Sequence, residues 1–282
     1  MMTFFKKAIA GVMTAAMVAA LAGCGGGAAS SAAGTASTAA SGSGAAAGGA
    51  IDQIKSAGVL KVGVKADVPK YSLKNPQTGK YEGFEDDLAA EIAGKILGDK
   101  SKVEFTTVNA KTRGPLLDKG DIDMVIATFT ITDERKKTYD FSDPYMTDAV
   151  GFLVKKDSGL TDLKSMNGKT IGVAQSATSK DALQQKAKEA GVTLKFAEFA
   201  TYPEIKAALD SGRVDVFSVD KSILNGYLDD KTEILSETYA PQDYGIATKK
   251  GNDDLAKLVN DTVKDLKSSG ELQKMIDKWE IK

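Results

Sequence analysis

An α/β fold of two lobes facing one another across a central ligand cleft is what this sequence predicts, on three observations. From Ile51 onward, short β-branched runs alternate with segments of helical spacing, the pattern of βαβ units. The same plan begins again near Lys169. Two extended stretches, residues 148–154 and 244–248, read as crossings between the two sets. Two crossings make a hinge that can close a cleft without breaking either core.

The chain begins with a leader. Lys6 and Lys7 precede apolar or small residues over 8–22 and then Gly23, so residues 1–23 are expected to be a signal peptide. The apolar run is shorter than the roughly 20 residues a membrane-spanning helix needs. Leu21-Ala-Gly-Cys24 resembles a bacterial lipoprotein signal, which would be cut before Cys24 and lipidated on it. The alternative is an ordinary signal peptide with an incidental Cys. Residues 25–50 contain only Gly, Ala, Ser and Thr. Such a stretch cannot bury a core, and as a coil it would span roughly 25–30 Å. Together with Cys24 it is expected to be a flexible tether over 24–50, placing the folded part outside the cytoplasmic membrane.

The first lobe is expected over 51–147 and 249–282. A short helix opens it near Asp52, and 59–64 is a strand. Phe84, Leu88, Ile92 and Ile96 recur at helical spacing, so 83–97 is a helix. Residues 103–107 are a strand. Thr112 starts a helix with Pro115 near its first turn, and 124–127 is the next strand. Thr132 then reads as the N-cap of a helix. The second lobe, 148–248, carries strands at 169–173, 194–196 and 214–218, helices at 179–190 and 202–211, and a helix from Lys221. Trp279, with Leu272 and Ile276, reads as the anchor of a helix returning to the first lobe.

Composition narrows the chemistry. A net charge of −1 over 282 residues argues against a nucleic-acid partner. There is no His, and Cys24 is the only Cys, which removes the commonest general base and any thiolate cluster or nucleophile from the folded part. No metal, no cofactor and no catalytic residue is expected.

Of 37 basic residues only three are Arg: Arg113, Arg135 and Arg213. On a surface solvated by Lys, a retained Arg suggests need for a planar fork. Arg213 follows a turn and reads as a surface residue. Arg113 and Arg135 each follow a strand at a helix start, where open α/β sheets hold ligands and where anions are favoured. Two anion sites on one wall suggest a ligand with two carboxylates; the alternative partners are Asp118 and Glu134. Lys65 ends the first strand near the same mouth, though spacing alone leaves its role open. Asp220 is either a helix N-cap or a carboxylate aimed at an ammonium group. Ser176, Thr178 and Ser179 precede a helix whose N–H groups could accept a carboxylate.

Four segments stand out: Ala127-Thr-Phe-Thr-Ile-Thr-Asp-Glu-Arg135, Tyr139-Asp-Phe-Ser-Asp-Pro-Tyr145, Gly83-Phe-Glu-Asp-Asp-Leu and Gly172-Val-Ala-Gln-Ser. Through them the chain, from about Ile51 to Lys282, resembles an extracytoplasmic solute-binding protein of an ABC importer, in the polar amino-acid group. Three segments are most similar to the aspartate/glutamate-binding branch. They are Val62-Gly-Val-Lys-Ala-Asp-Val-Pro, Val108-Asn-Ala-Lys-Thr-Arg-Gly-Pro-Leu-Leu and Phe217-Ser-Val-Asp-Lys-Ser. The resemblance implies a periplasmic-binding-protein-like (type II) fold. It implies Arg135 on the α-carboxylate, helped by Thr130 and Thr178, and Asp220 with the Thr128 carbonyl on the α-ammonium. Arg113 and Lys65 would then hold a side-chain carboxylate, with Tyr202 and Tyr244 lining the pocket. Lys70-Tyr-Ser-Leu stands where many members of the wider group have an aromatic pair.

Charge selects the ligand. Arg135 and Asp220 balance the backbone of any amino acid, and Arg113 plus Lys65 leave two cations over. Burying unpaired cations costs several kcal/mol each, so specificity would be mostly a penalty against neutral side chains. The expectation is therefore L-aspartate or L-glutamate, delivered to a membrane permease by a lipid-anchored monomer. Glutamine or cysteine binding is the alternative within the class. A dehydratase-like enzyme on the same fold, or a surface adhesin, is the alternative outside it.

Overall fold

In a computed structural model, residues 48–281 are described, and they belong to one compact unit. The expected signal peptide, Cys24 and nearly all of the expected tether lie outside the described residues. Among the described residues, no helix is long and apolar enough to cross a membrane.

Two sheets carry the two lobes. In the first, Leu60–Val64 lies between Val103–Thr107 and Met124–Val125, parallel to both. Ala247–Lys249 then pairs antiparallel with Met124–Val125 and with Tyr139–Phe141. The second sheet repeats the plan. Thr170–Ala174 lies between Lys195–Phe199 and Val216–Asp220 in parallel, and Met146–Lys155 pairs antiparallel with the last of these. The two-lobed α/β architecture expected from the sequence is the one observed.

The long strand Met146–Lys155 changes one detail. Residues 148–154, read from the sequence as a crossing, lie inside the second sheet. The chain passes between sheets just before, where the Tyr145 N–H donates to the Tyr244 carbonyl (2.9 Å) and Thr130 bridges Tyr244. A β-branched run in extended form reads the same whether it crosses or pairs, so sequence could not separate the two.

Helix Phe84–Leu97 forms as its spacing requires: Phe84, Leu88, Ile92 and Ile96 are all buried. Gly98, in the left-handed region at φ 73°, ends it. Thr132 caps as expected, its Oγ1 accepting from the Arg135 N–H at 3.1 Å. The helix it caps is only Asp133–Lys136, a single turn. Trp279 is half-buried, packs against the main core and donates from Nε1 to Asp87 (2.7 Å).

Legible in neither spacing nor composition was a small three-stranded sheet of Asp67–Val68, Ser72–Lys74 and Tyr81–Glu82. Two- and three-residue strands are too short for a period. The largest buried cluster runs from Val62 and Phe84 through Tyr71, Tyr145 and Tyr244 to Ile205 and Phe217. The lobes thus meet through an aromatic hinge in a closed arrangement.

One carboxyl inside the first lobe makes stability depend on pH. Asp86 is 6% exposed, accepts from the Ser72 hydroxyl (2.8 Å), and leaves Oδ2 without a partner. Burial, then the neighbouring Glu85, Asp87 and Glu82 carboxylates, push its pKa up to about 8. A folded pKa above the unfolded one means its contribution is fully present below about pH 4. That contribution is lost as pH rises through 8. Asp86→Asn is therefore expected to raise the thermal midpoint at pH 8.5 by several degrees. At pH 4 the two proteins should melt together, as followed by calorimetry.

Candidate functional site

The residues singled out in the sequence come together where the two lobes meet. Arg113 opens helix Arg113–Lys119 and is 3% exposed. Its Nη1 donates to the carbonyls of Ala127 (2.7 Å) and Thr128 (3.2 Å), while Nε has no protein partner. Arg135 donates from Nη1 to the Thr130 carbonyl (2.7 Å) and from Nη2 across the cleft to the Ser176 carbonyl (3.3 Å). Both guanidinium groups rest on one ring: the Phe129 centroid is 3.9 Å from Arg113 Cζ and 4.7 Å from Arg135 Cζ. Such cation–π contacts favour a fixed fork.

Ordinary surface pairing does not explain these arginines. Asp118 instead accepts from the Tyr139 hydroxyl (3.2 Å), and Glu134 pairs with Lys137 (2.6 Å). Burial, first among the causes, holds both arginines below their usual range, and Arg113 further lowers Arg135. A guanidinium does not give up its proton in a protein; the shift expresses the cost of holding it without an anion.

Lys65 is 2% exposed, with Nζ 4.4 Å from the centre of the Tyr202 ring. Burial depresses its pKa to about 8, partly offset by Asp67. Among the described residues, Lys65, Arg113 and Arg135 form no salt bridge with any carboxylate.

Asp220 ends strand Val216–Asp220 at the N-cap position of helix Lys221–Asn225, yet its side chain makes no capping bond. Instead it is 6% exposed and accepts a hydrogen bond from the Tyr244 hydroxyl. Burial raises its pKa to about 7, opposed by that hydrogen bond. The capping alternative left open by the sequence is thereby removed. Tyr244 itself is fully buried, between Tyr71 and Tyr145.

The threonines sit on a hinge relay. Gln242 Oε1 accepts from Thr130 Oγ1 (2.6 Å) in the first lobe and from Thr178 Oγ1 (2.8 Å) in the second. Thr178 makes no side-chain cap for helix Ser179–Glu189. Ser176 enters through its carbonyl, where the sequence pointed to hydroxyl and N–H groups. Thr128 and Ser176 are held in the left-handed region, at φ 44° and 60°. Each such residue costs of order 1–3 kcal/mol and persists where surroundings over-determine it. Here both strained carbonyls accept from an arginine.

Three participants escaped the sequence reading. Phe129 carries the two guanidinium groups, and Gln242 ties Thr130 to Thr178. Glu85 is fully buried, and its Oε1 accepts from the Thr128 N–H (2.6 Å) and the Tyr145 hydroxyl (2.5 Å), with Oε2 unpartnered. Burial pushes its carboxyl up, against Tyr145, Thr128, Lys65 and Arg113. Its segment, Gly83-Phe-Glu-Asp-Asp-Leu, carried part of the resemblance, but among acidic neighbours nothing in the chain singled Glu85 out. Glu85→Ala is expected to release the strained Thr128 peptide and lower the thermal midpoint by several degrees, measured by calorimetry.

The geometry can clamp a zwitterion with a further anionic arm. Asp220 faces the cleft as the anion, with Arg135, Arg113 and Lys65 as cations.

The chain is also similar to known proteins. The sequence model of the bacterial extracellular solute-binding proteins, family 3, matches residues 60–282. The glutamine-binding protein GlnH of Bacillus subtilis (strain 168) is 40% identical over 229 residues, 80% of this chain and 82% of that one. A glutamine-binding protein of Geobacillus stearothermophilus is 41% identical over 215 residues, 75% of this chain and 80% of the other. Among solved structures, an ancestral arginine-binding protein bound to arginine superposes with a TM-score of 0.70 at 39% identity. That match covers 79% of this chain and 98% of that one.

Proposed function

The chain belongs to the bacterial extracellular solute-binding proteins of family 3, and from that premise we propose that it captures L-aspartate or L-glutamate outside the cytoplasmic membrane and delivers it to an ABC importer permease. Arg135 holds the α-carboxylate. Thr130 and Thr178, brought together by Gln242, fix the hinge beside it. Asp220 and the Thr128 carbonyl hold the α-ammonium. Arg113 and Lys65 hold the side-chain carboxylate, Tyr202 floors that end of the pocket, and Tyr244 orients Asp220. Lipidation at Cys24 keeps the carrier at the membrane, and it works as a monomer.

Lys65 carries the choice of ligand. It is an almost fully buried ammonium group that rests on an aromatic face and makes no salt bridge, with Asp67 the leading carboxylate supporting its charge. With Arg113 and Arg135 the site holds three cations against Asp220, Glu85 and, beside Lys65, Asp67. If Glu85 is ionised, these charges balance; if it is protonated, one positive charge is in surplus. An amino acid of net charge −1 removes that surplus, and a neutral one leaves it buried.

Glutamine is the second reading. An ionised Glu85 offsets the surplus, and the two relatives above are named for glutamine. Glutamine also copies the shape of glutamate, so charge alone separates the two. Titration calorimetry on ligand-stripped protein is expected to show glutamate or aspartate binding at least tenfold tighter than glutamine. Glutamine tighter than both would sink the acidic reading and leave an amino-acid carrier.

A further inference from the structure

We propose that Asp67 is a latch between the lobes, a residue that sets the affinity for every ligand by holding the cleft shut. It lies on the small three-stranded sheet of the first lobe and spans to the second by two hydrogen bonds. Its Oδ2 accepts from the Tyr202 N–H at 3.1 Å, and its carbonyl accepts from the Tyr227 hydroxyl. Two residues on, the Pro69 ring lies against Gly226, where an added methyl would approach Pro69 Cδ and Cγ to 3.0 Å.

The partner on the second lobe is a helix start with one donor to spare. Thr201 and Glu204 form a capping box at helix Tyr202–Asp210, with Glu204 also accepting from the Ala200 N–H (3.1 Å). The Tyr202 N–H is one of the first-turn donors left without an intrahelical acceptor. Asp67 supplies it with a carboxylate at the positive end of the helix dipole. Closure therefore exchanges two hydrated groups for a charge-assisted hydrogen bond, with no ligand atom involved. Lys65, two residues away on the same segment, lies over the ring of that same Tyr202. One short stretch thus brings a ligand cation and the latch to a single residue of the facing lobe.

A second way for Asp67 to matter is through Lys65, whose charge it supports. The two roles differ in what they do to selectivity. A latch weakens all ligands by one factor; a carboxylate that serves Lys65 affects acidic ligands alone. The inference does not rest on the acidic reading, because the uniform factor can be read with glutamine if glutamine is the ligand.

The experiment is titration calorimetry of Asp67→Asn with glutamate, aspartate and glutamine, in the wild type and in a Lys65→Met background. Small-angle scattering of the same samples reports closure. Asp67→Asn should weaken each ligand that binds by the same factor, about 10- to 150-fold for a charge-assisted hydrogen bond. The loss should persist without Lys65, and more open molecules should remain at a fixed subsaturating ligand concentration. Gly226→Leu, which wedges the seam against Pro69, should give the same uniform loss and keeps the proposal testable if Asp67→Asn folds poorly. Affinities within twofold of wild type, a loss confined to acidic ligands, or one that vanishes with Lys65→Met would overturn the latch.

Discussion

Arg135→Ala is expected to remove measurable binding of every amino acid, a loss of more than a hundredfold. Arg135 is the cation that both meets the ligand's α-carboxylate in the proposed pose and reaches the opposite lobe, through the Ser176 carbonyl. Truncating one partner of a buried, hydrogen-bonded charge pair costs about 2–5 kcal/mol. The truncation also leaves the strained carbonyl of Ser176 and that of Thr130 without their donor. Lysine at this position should restore little, since one ammonium cannot reach two carbonyls and a carboxylate in a plane. Calorimetry with any amino acid the wild type binds reads the result. Retained affinity within tenfold would place the α-carboxylate elsewhere.

Lys65→Met is expected to invert selectivity. The methionine keeps the volume against Tyr202 and removes the charge. Acidic amino acids should lose about 2–5 kcal/mol, while glutamine should hold or improve. Arg113 is a less clean probe of charge, because it also satisfies the carbonyls of Ala127 and Thr128; Arg113→Ala should weaken all ligands, the acidic ones most. pH gives a mutation-free version of the experiment. Burial lowers the Lys65 pKa from 10.5 to about 8. A depressed value means the closed form without an anion is favoured at high pH and loses stability as pH falls through 8. Below that point a charged Lys65 is buried on closure and an anionic side chain relieves it. The preference for glutamate over glutamine should be full at pH 7 and shrink as pH rises above 8, by at most about tenfold per unit. In Lys65→Met that slope should be absent. A preference independent of pH in the wild type would remove Lys65 from the site.

The positions of the arginines were legible because their alternatives were few: three Arg in a Lys-rich chain, two of them between a strand end and a helix start. What each would touch was not. Arg113 and Arg135 share the Phe129 ring and reach Thr128, Thr130 and Ser176 through backbone carbonyls, which carry no residue-type signal. Glu85 looked like a helix residue among acidic neighbours. Only folding brings it beneath Thr128, 43 positions away along the chain.

By itself the sequence determined the α/β alternation, the doubled lobe, the helix boundaries set by apolar spacing, and a cation-rich strand–helix edge. Those follow from local periodicity and from scarcity of residue types, which are properties of a one-dimensional string. The tertiary structure alone decided which strand crosses between the lobes, which carbonyls receive the guanidinium groups, and how Asp67 meets Tyr202 and Tyr227. Each of these joins residues far apart in the chain through backbone atoms that every residue possesses, so only the packed arrangement can select them.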